Sequence, residues 1–124
     1  MRALNRWDVD ALISTLPVSG QARATLPLAA SPPAIAAAAE RALQRRGYSL
    51  TRDDVTQGRA VVQARTAVSP ESPLSELFAR RATLTARETR RSVVVEVEIA
   101  PQSDAVEARA ILHDTLELLR PAKR

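Results

Sequence analysis

The chain contains no cysteine, which excludes disulfides, thiolate nucleophiles and zinc–thiolate centres and leaves the redox compartment open. Aromatic residues make up 2% of the 124 positions, as single copies of Trp7, Tyr48 and Phe78. Stacking platforms for bases and aromatic cages for cations have little to be built from, so the core must be assembled from Ala, Val, Leu and Ile. Glycine occurs only at positions 20, 47 and 58, too scattered for a phosphate-cradling loop. There is one histidine, His113. No apolar run approaches the roughly 18 residues of a bilayer span, and Asp8 and Asp10 interrupt the apolar stretch near the start. No secretory leader and no membrane span are expected, and a cytoplasmic location is.

What is present reads as an ordinary globular composition, 45% apolar and 26% charged. One domain of this length buries about two thirds of the surface its unfolded chain exposes. The net charge is +4, carried by 17 arginines and one lysine among the 18 basic residues. Residues 1–62 hold eight basic and five acidic side chains, and residues 63–124 hold ten and nine, giving +3 and +1. With no basic block, charge alone does not nominate nucleic acid as a partner.

The clearest local pattern is Arg81 to Ala100. Val93, Val95, Val97 and Ile99 alternate with Glu96 and Glu98, the period of a half-buried strand. A reversal through Glu88 to Arg91 sets Ala86 opposite Val93, Leu84 opposite Val95 and Ala82 opposite Val97. An earlier hairpin is expected from Tyr48 to Arg65, with Asp53, Asp54 and Gly58 in its connection, and a strand over Gln21 to Ala29 with Leu28 on its apolar side. Ser31 followed by Pro32 and Pro33 starts a helix that Gly47 ends. Asp104 with Glu107 starts a second helix, whose stripe is Ala108, Ile111, Leu112, Thr115, Leu118 and Leu119. A short amphipathic helix is expected from Asn5 to Leu16 and another short one after Ser72 and Pro73.

These elements predict an α+β fold, a single antiparallel sheet of about five short strands with two main helices packed on one face, preceded by the short amino-terminal helix. Residues 1–20 form that helix and a linker, 21–120 the domain, and 121–124 a tail. The other sheet face carries Arg59, Gln63, Arg65, Thr83, Thr85, Arg87, Glu96 and Glu98. There, arginine and glutamate on neighbouring strands are expected to pair across the ladder.

The stretch AAAERALQRRGYSLTRDDVTQGRAVVQAR, followed by a second hairpin and a terminal helix, resembles the element order of small bacterial helix-plus-antiparallel-sheet domains, some of them in lipoprotein-like proteins. The likeness covers about residues 32 to 119. It is also similar to a shortened helix-grip domain, whose larger relatives hold apolar ligands between sheet and helix. Both likenesses rest on element order, so they imply a fold and transfer no catalytic residue. The chain has no cysteine to carry a lipoprotein's anchor.

Chemistry-bearing candidates are sparse. His113 lies beside Asp114 and one turn before Glu117, which suits a solvated helix face better than a metal site. Asp53 with Asp54 and Glu96 with Glu98 lack the convergence that cation binding or acid–base pairs require. No metal, cofactor or catalytic group is expected. The leading expectation is a non-catalytic protein-interaction or self-association module, with Trp7, Val9, Leu12, Ile13 and Leu16 as the anchors of a docking helix. Two alternatives stand beside it. One is an apolar-ligand pocket lined by Val62, Leu84, Val95, Ile111 and Leu118. The other is weak binding of nucleic acid or another anion through the pairs Arg45–Arg46, Arg80–Arg81 and Arg90–Arg91.

Overall fold

A computed structural model of the chain describes residues 12–16, 21–66, 80–100 and 104–119. Six strands and two helices follow in the order β1 (Ile13–Leu16), β2 (Gln21–Pro27), α1 (Pro32–Arg45), β3 (Tyr48–Val55), β4 (Arg59–Thr66), β5 (Arg81–Glu88), β6 (Ser92–Ala100) and α2 (Ala105–Leu119). All the strands form one antiparallel sheet in the order β1-β2-β6-β5-β4-β3. Both helices contact the sheet and each other, so the fold is α+β with one helix-covered face.

Local chemistry accounts for the helix ends. The Ser31 hydroxyl accepts from the Ala34 N–H, and the two prolines that follow sit where no intrahelical donor is needed. Gly47 takes the positive φ of 89° that lets α1 stop and β3 begin. Asp104 caps α2 by accepting from the Glu107 N–H at 3.0 Å. Ala36, Ala39 and Ala42 are buried along α1, and their small side chains let the helix approach the sheet closely.

The core is one cluster. Ala22, Ala24 and Leu26 come from β2, Ala60, Val62 and Ala64 from β4, Ala82, Leu84 and Ala86 from β5, and Val93, Val95, Val97 and Ile99 from β6. Ile35, Leu43, Ile111, Leu112 and Leu116 close it from the helices. Each large aliphatic side chain buried there contributes roughly 1.5–3 kcal/mol relative to exposure.

Several expectations need correction. Ile13–Leu16 forms a strand paired with Gln21–Ala24, so the sheet has six strands and the expected helix cannot run on to Leu16, while its residues 5–11 lie outside the described residues. The apolar spacing at 12, 13 and 16 suits a helix, but Ile and Thr are β-branched, and the ladder offered by β2 decides the outcome. The hairpin of β5 and β6 is shifted by two residues, pairing Ala86 with Val95 and Leu84 with Val97. Thr89 and Ser92 close it, with the Thr89 N–H donating to the Ser92 carbonyl at 2.7 Å. A two-residue shift keeps every side chain on its face, which is why the apolar alternation could not distinguish the two registers.

Asp53 and Asp54 lie within β3, not in the connection, which is Thr56 to Gly58. The β2 strand ends at Pro27, leaving Leu28 exposed. On α2 the side chain that completes the buried stripe is Leu116, while Leu118 is half-buried. The short helix expected after Ser72 and Pro73 lies outside the described residues.

Both sheet edges are blunted. The β1 edge has four residues, and its Ile13 carbonyl accepts from the Arg109 guanidinium at 3.3 Å. The β3 edge carries a bulge, with the register shifting between Leu50 and Arg52. That shift has a chemical result. Arg52 pairs with Gln63 and Asp54 with Val61 on the open face, while Asp53 pairs with Val62 on the helix side. Without the extra residue these side chains would point the opposite way.

Candidate functional site

The face of the sheet away from the helices is where uncompensated charge collects. Arg59, Val61, Gln63 and Arg65 of β4 stand directly opposite Arg87, Thr85, Thr83 and Arg81 of β5. At each end of the ladder a hydrogen bond sets the phase. The Glu88 N–H donates to the Gly58 carbonyl at 2.8 Å, and the Thr66 N–H donates to the Arg80 carbonyl at 2.9 Å. Counting in from both bonds, Arg59–Arg87 and Arg65–Arg81 fall at non-hydrogen-bonded positions, where facing Cα atoms are about 4.5 Å apart and side chains are closest. Two like-charged pairs therefore occupy the two ends of one ladder, on one face. Such pairs destabilise a sheet by roughly 0.2–1 kcal/mol each.

The neighbouring acids do not relieve them. Glu96 takes the Arg23 guanidinium of β2, with the Nε bond at 2.8 Å. Glu98 accepts from the Gln21 side chain at 3.3 Å, again on β2. Asp54 accepts from Arg52 at 3.3 Å on its own strand. Cross-strand pairing of arginine with glutamate thus occurs, but between β2 and β6. Among the described residues no acid forms an ion pair with Arg59, Arg65, Arg81 or Arg87. The open face is polarised, basic over β4 and β5 and neutralised over β2 and β6.

Within the basic half lies a shallow depression of about 360 Å³ lined by Arg52, Asp54, Thr56, Arg59, Val61 and Thr85. Three strands build it. The β3 bulge delivers Arg52 and Asp54, the start of β4 delivers Arg59 and a half-buried Val61 floor, and Thr85 comes from β5. The Thr56 hydroxyl donates to the Arg59 carbonyl at 3.2 Å, which holds the rim and leaves its oxygen able to accept.

A second polar cluster joins the end of α1 to the start of α2. Arg46 donates to Glu107 at 2.7 Å and to Asp114 at 3.3 Å, the Tyr48 hydroxyl donates to Glu107 at 2.9 Å, and Arg80 donates to Asp104 at 2.8 Å. Burial, and then the Glu107 bond, push the Tyr48 hydroxyl up to about 12. Burial also pushes the Glu107 carboxyl upward, but the bonds from Arg46 and Tyr48 outweigh it and hold the group below its usual range. The bond from the Glu107 N–H holds Asp104 low as well. Every group here is matched, so the cluster clamps two helices and two strands together.

The expected arginine pairs do not converge. Arg46 and Arg80 are engaged in that clamp, with Arg45 and Arg81 beside them, while Arg90 and Arg91 sit at the opposite end of the sheet in the β5–β6 reversal. Of the proposed docking anchors, Trp7 and Val9 lie outside the described residues, Leu16 is in β1, Leu12 packs against the core and Ile13 is buried in it. Val62, Leu84, Val95 and Ile111 are buried in the core cluster, with Leu118 only half-buried. His113 approaches Asp114 at 3.4 Å and Glu117 at 3.8 Å, on α2 and across the sheet from the depression. Among the described residues no group of three or more potential ligands is placed to hold a metal ion. No helix there is long and apolar enough to cross a membrane.

Sequence alternation places Arg59, Arg65 and Arg87 on the open face but not Arg81, and the opposition of all four depends on the β4–β5 register, which no turn signal in the long connection fixes. No protein-family model matches this chain, and no curated protein matches it in sequence.

Proposed function

We propose that this chain is a non-catalytic binding domain that recognises an anion-bearing partner on the open face of its sheet. The observation that carries the reading is the pair of cross-strand arginine oppositions, Arg59–Arg87 and Arg65–Arg81, with no acidic partner among the described residues. The same sheet matches Arg23 with Glu96 two strands away, so the mismatch is confined to β4 and β5. A guanidinium offers forked donors suited to phosphate, sulfate and carboxylate oxygens, and two such forks facing each other suit an anion held between them. The absence of catalysis is part of the proposal and is supported by the position of His113, far across the sheet from these arginines.

The test is the salt concentration at which the full chain leaves an immobilised sulfated polysaccharide. The wild type should be retained and should elute progressively earlier as Arg59, Arg65, Arg81 and Arg87 are changed to Gln. Changing Arg90 and Arg91 to Gln should have a smaller effect, although it removes the same charge per pair. Equal effects of the two pair types, or no retention of the wild type, would remove the assignment of the open face.

A further inference from the structure

The two arginine oppositions are not equivalent. Arg59 lines the depression together with Thr56, Val61, Thr85, Arg52 and Asp54, and Arg87 stands directly across from it. Arg65 and Arg81 lie six residues along the ladder, roughly 20 Å away at strand rise, and outside that lining. We infer that the Arg59–Arg87 end is a discrete site for one small phosphorylated, hydroxyl-bearing molecule, its phosphate held between the two guanidiniums. This deepens the reading of the open face as an anion-recognition surface and rests on it.

Three features select that class. The volume of about 360 Å³ lies at the small end of ligand sites, large enough for one compact molecule and too small for a folded segment of another chain. The lining contains Val61 as its one apolar side chain and no aromatic, so nothing there would stack on a nucleobase. Beyond the arginines, the wall presents alcohols and an ion pair: Thr56 with an oxygen free to accept, Thr85, and Arg52 bound to Asp54. Alcohols and a carboxylate recognise hydroxyl groups by donating to and accepting from them, which fits the body of a phosphorylated sugar or polyol. Phosphate enters at the rim and the hydroxyl-bearing body lies over Val61 and Thr85.

The experiment follows the backbone amide resonances of Val61, Thr85 and Arg87 in the full chain during titration with glucose 6-phosphate, glucose, inorganic phosphate and a uridine oligonucleotide. Glucose 6-phosphate should give saturable shifts at these amides, inorganic phosphate should compete more weakly, and glucose alone should give none. Arg59→Gln and Arg87→Gln should each weaken binding by about tenfold or more, the scale of a lost charge-assisted bond, whereas Arg41→Gln, exposed on α1 across the sheet, should leave it unchanged. No shift at these amides with either phosphate compound would overturn the small-ligand site. Binding of the oligonucleotide that requires both arginine oppositions equally would also overturn it, while leaving the wider anion-recognition reading standing. Loss of that wider reading is read separately, from retention on the sulfated polysaccharide.

Discussion

Arg59 faces Arg87 across a non-hydrogen-bonded position of the β4–β5 ladder, bringing two guanidinium side chains together on the open face of the sheet. Opposite charges at this spacing would be the stabilising choice. Arg87→Glu should therefore raise stability by roughly 0.2–1 kcal/mol while weakening anion binding on the open face. In a chain of this size that corresponds to a rise in melting temperature of about 1–5 °C. Thermal unfolding and polysaccharide retention measured on the same variant check both halves. A variant that loses stability along with binding would show that the opposition serves the fold.

The pH dependence of stability should have two limbs with different origins. Glu40 on α1 hydrogen-bonds Asp53 of β3, and that bond, burial and the Asp53 charge push its carboxyl up to about 6 from an ordinary 4.5. A carboxyl raised in the folded state stabilises below its unfolded value and loses that contribution as pH rises, here between about 4.5 and about 6. Glu107 and Asp104 are held below their ordinary 4.5 and 3.8, so their contribution is present above those values and is lost as pH falls below them. The two limbs oppose each other, so these groups together favour the fold on the acid side of neutrality. Asp53→Asn should raise stability at pH 7.5 and flatten the upper limb, leaving the acid limb in place, as denaturant midpoints at several pH values would record.

The bond from the Tyr48 hydroxyl to Glu107 can be isolated, because Phe keeps the ring that is buried beneath it. Tyr48→Phe removes the 2.9 Å bond and leaves Arg46 still paired with Glu107. The cost should be about 0.5–1.5 kcal/mol, the net value of a single bond whose remaining partner stays satisfied. Urea unfolding with an unchanged denaturant slope is the measurement. A loss above about 3 kcal/mol would mean that the hydroxyl holds together more of the clamp than this one bond.

The parts of the fold that were legible in the sequence are those where local chemistry and burial point the same way. Ser31–Pro32–Pro33, Gly47 and Asp104 set helix ends through bonds made within a few residues. The alternation of Val93, Val95, Val97 and Ile99 identifies the buried face of β6. What escaped depends on partners distant in the chain. The bulge after Leu50 turns Arg52 and Asp54 to the open face against simple alternation, and only the pairing with β4 reveals it. The opposition of Arg59 and Arg87 depends on a register between strands whose connecting segment carries no fixed-length turn signal. Glu96 and Glu98 adjoin β5 in the hairpin, yet β2, a strand far earlier in the chain, runs along their other side and supplies their partners.

Ile13 provides the sharpest contrast between the sequence pattern and the folded structure. As an anchor on a free amphipathic helix it would contribute little to the stability of the remaining domain, and its loss would weaken only a partner. In the sheet it is 7% exposed, pairs across from Ala24 and packs in the central cluster, and its own carbonyl is held by Arg109. Ile13→Ala should then cost about 2–4 kcal/mol, the range for deleting most of a buried aliphatic side chain at a sheet margin where neighbours can partly relax. Ser14→Ala on the adjacent exposed position should cost well under 1 kcal/mol, since that side chain faces solvent. Urea midpoints of the two variants decide the matter. Equal and negligible losses would return Ile13 to the role of a docking residue, whereas a large loss at Ile13 alone makes β1 an integral strand of the domain.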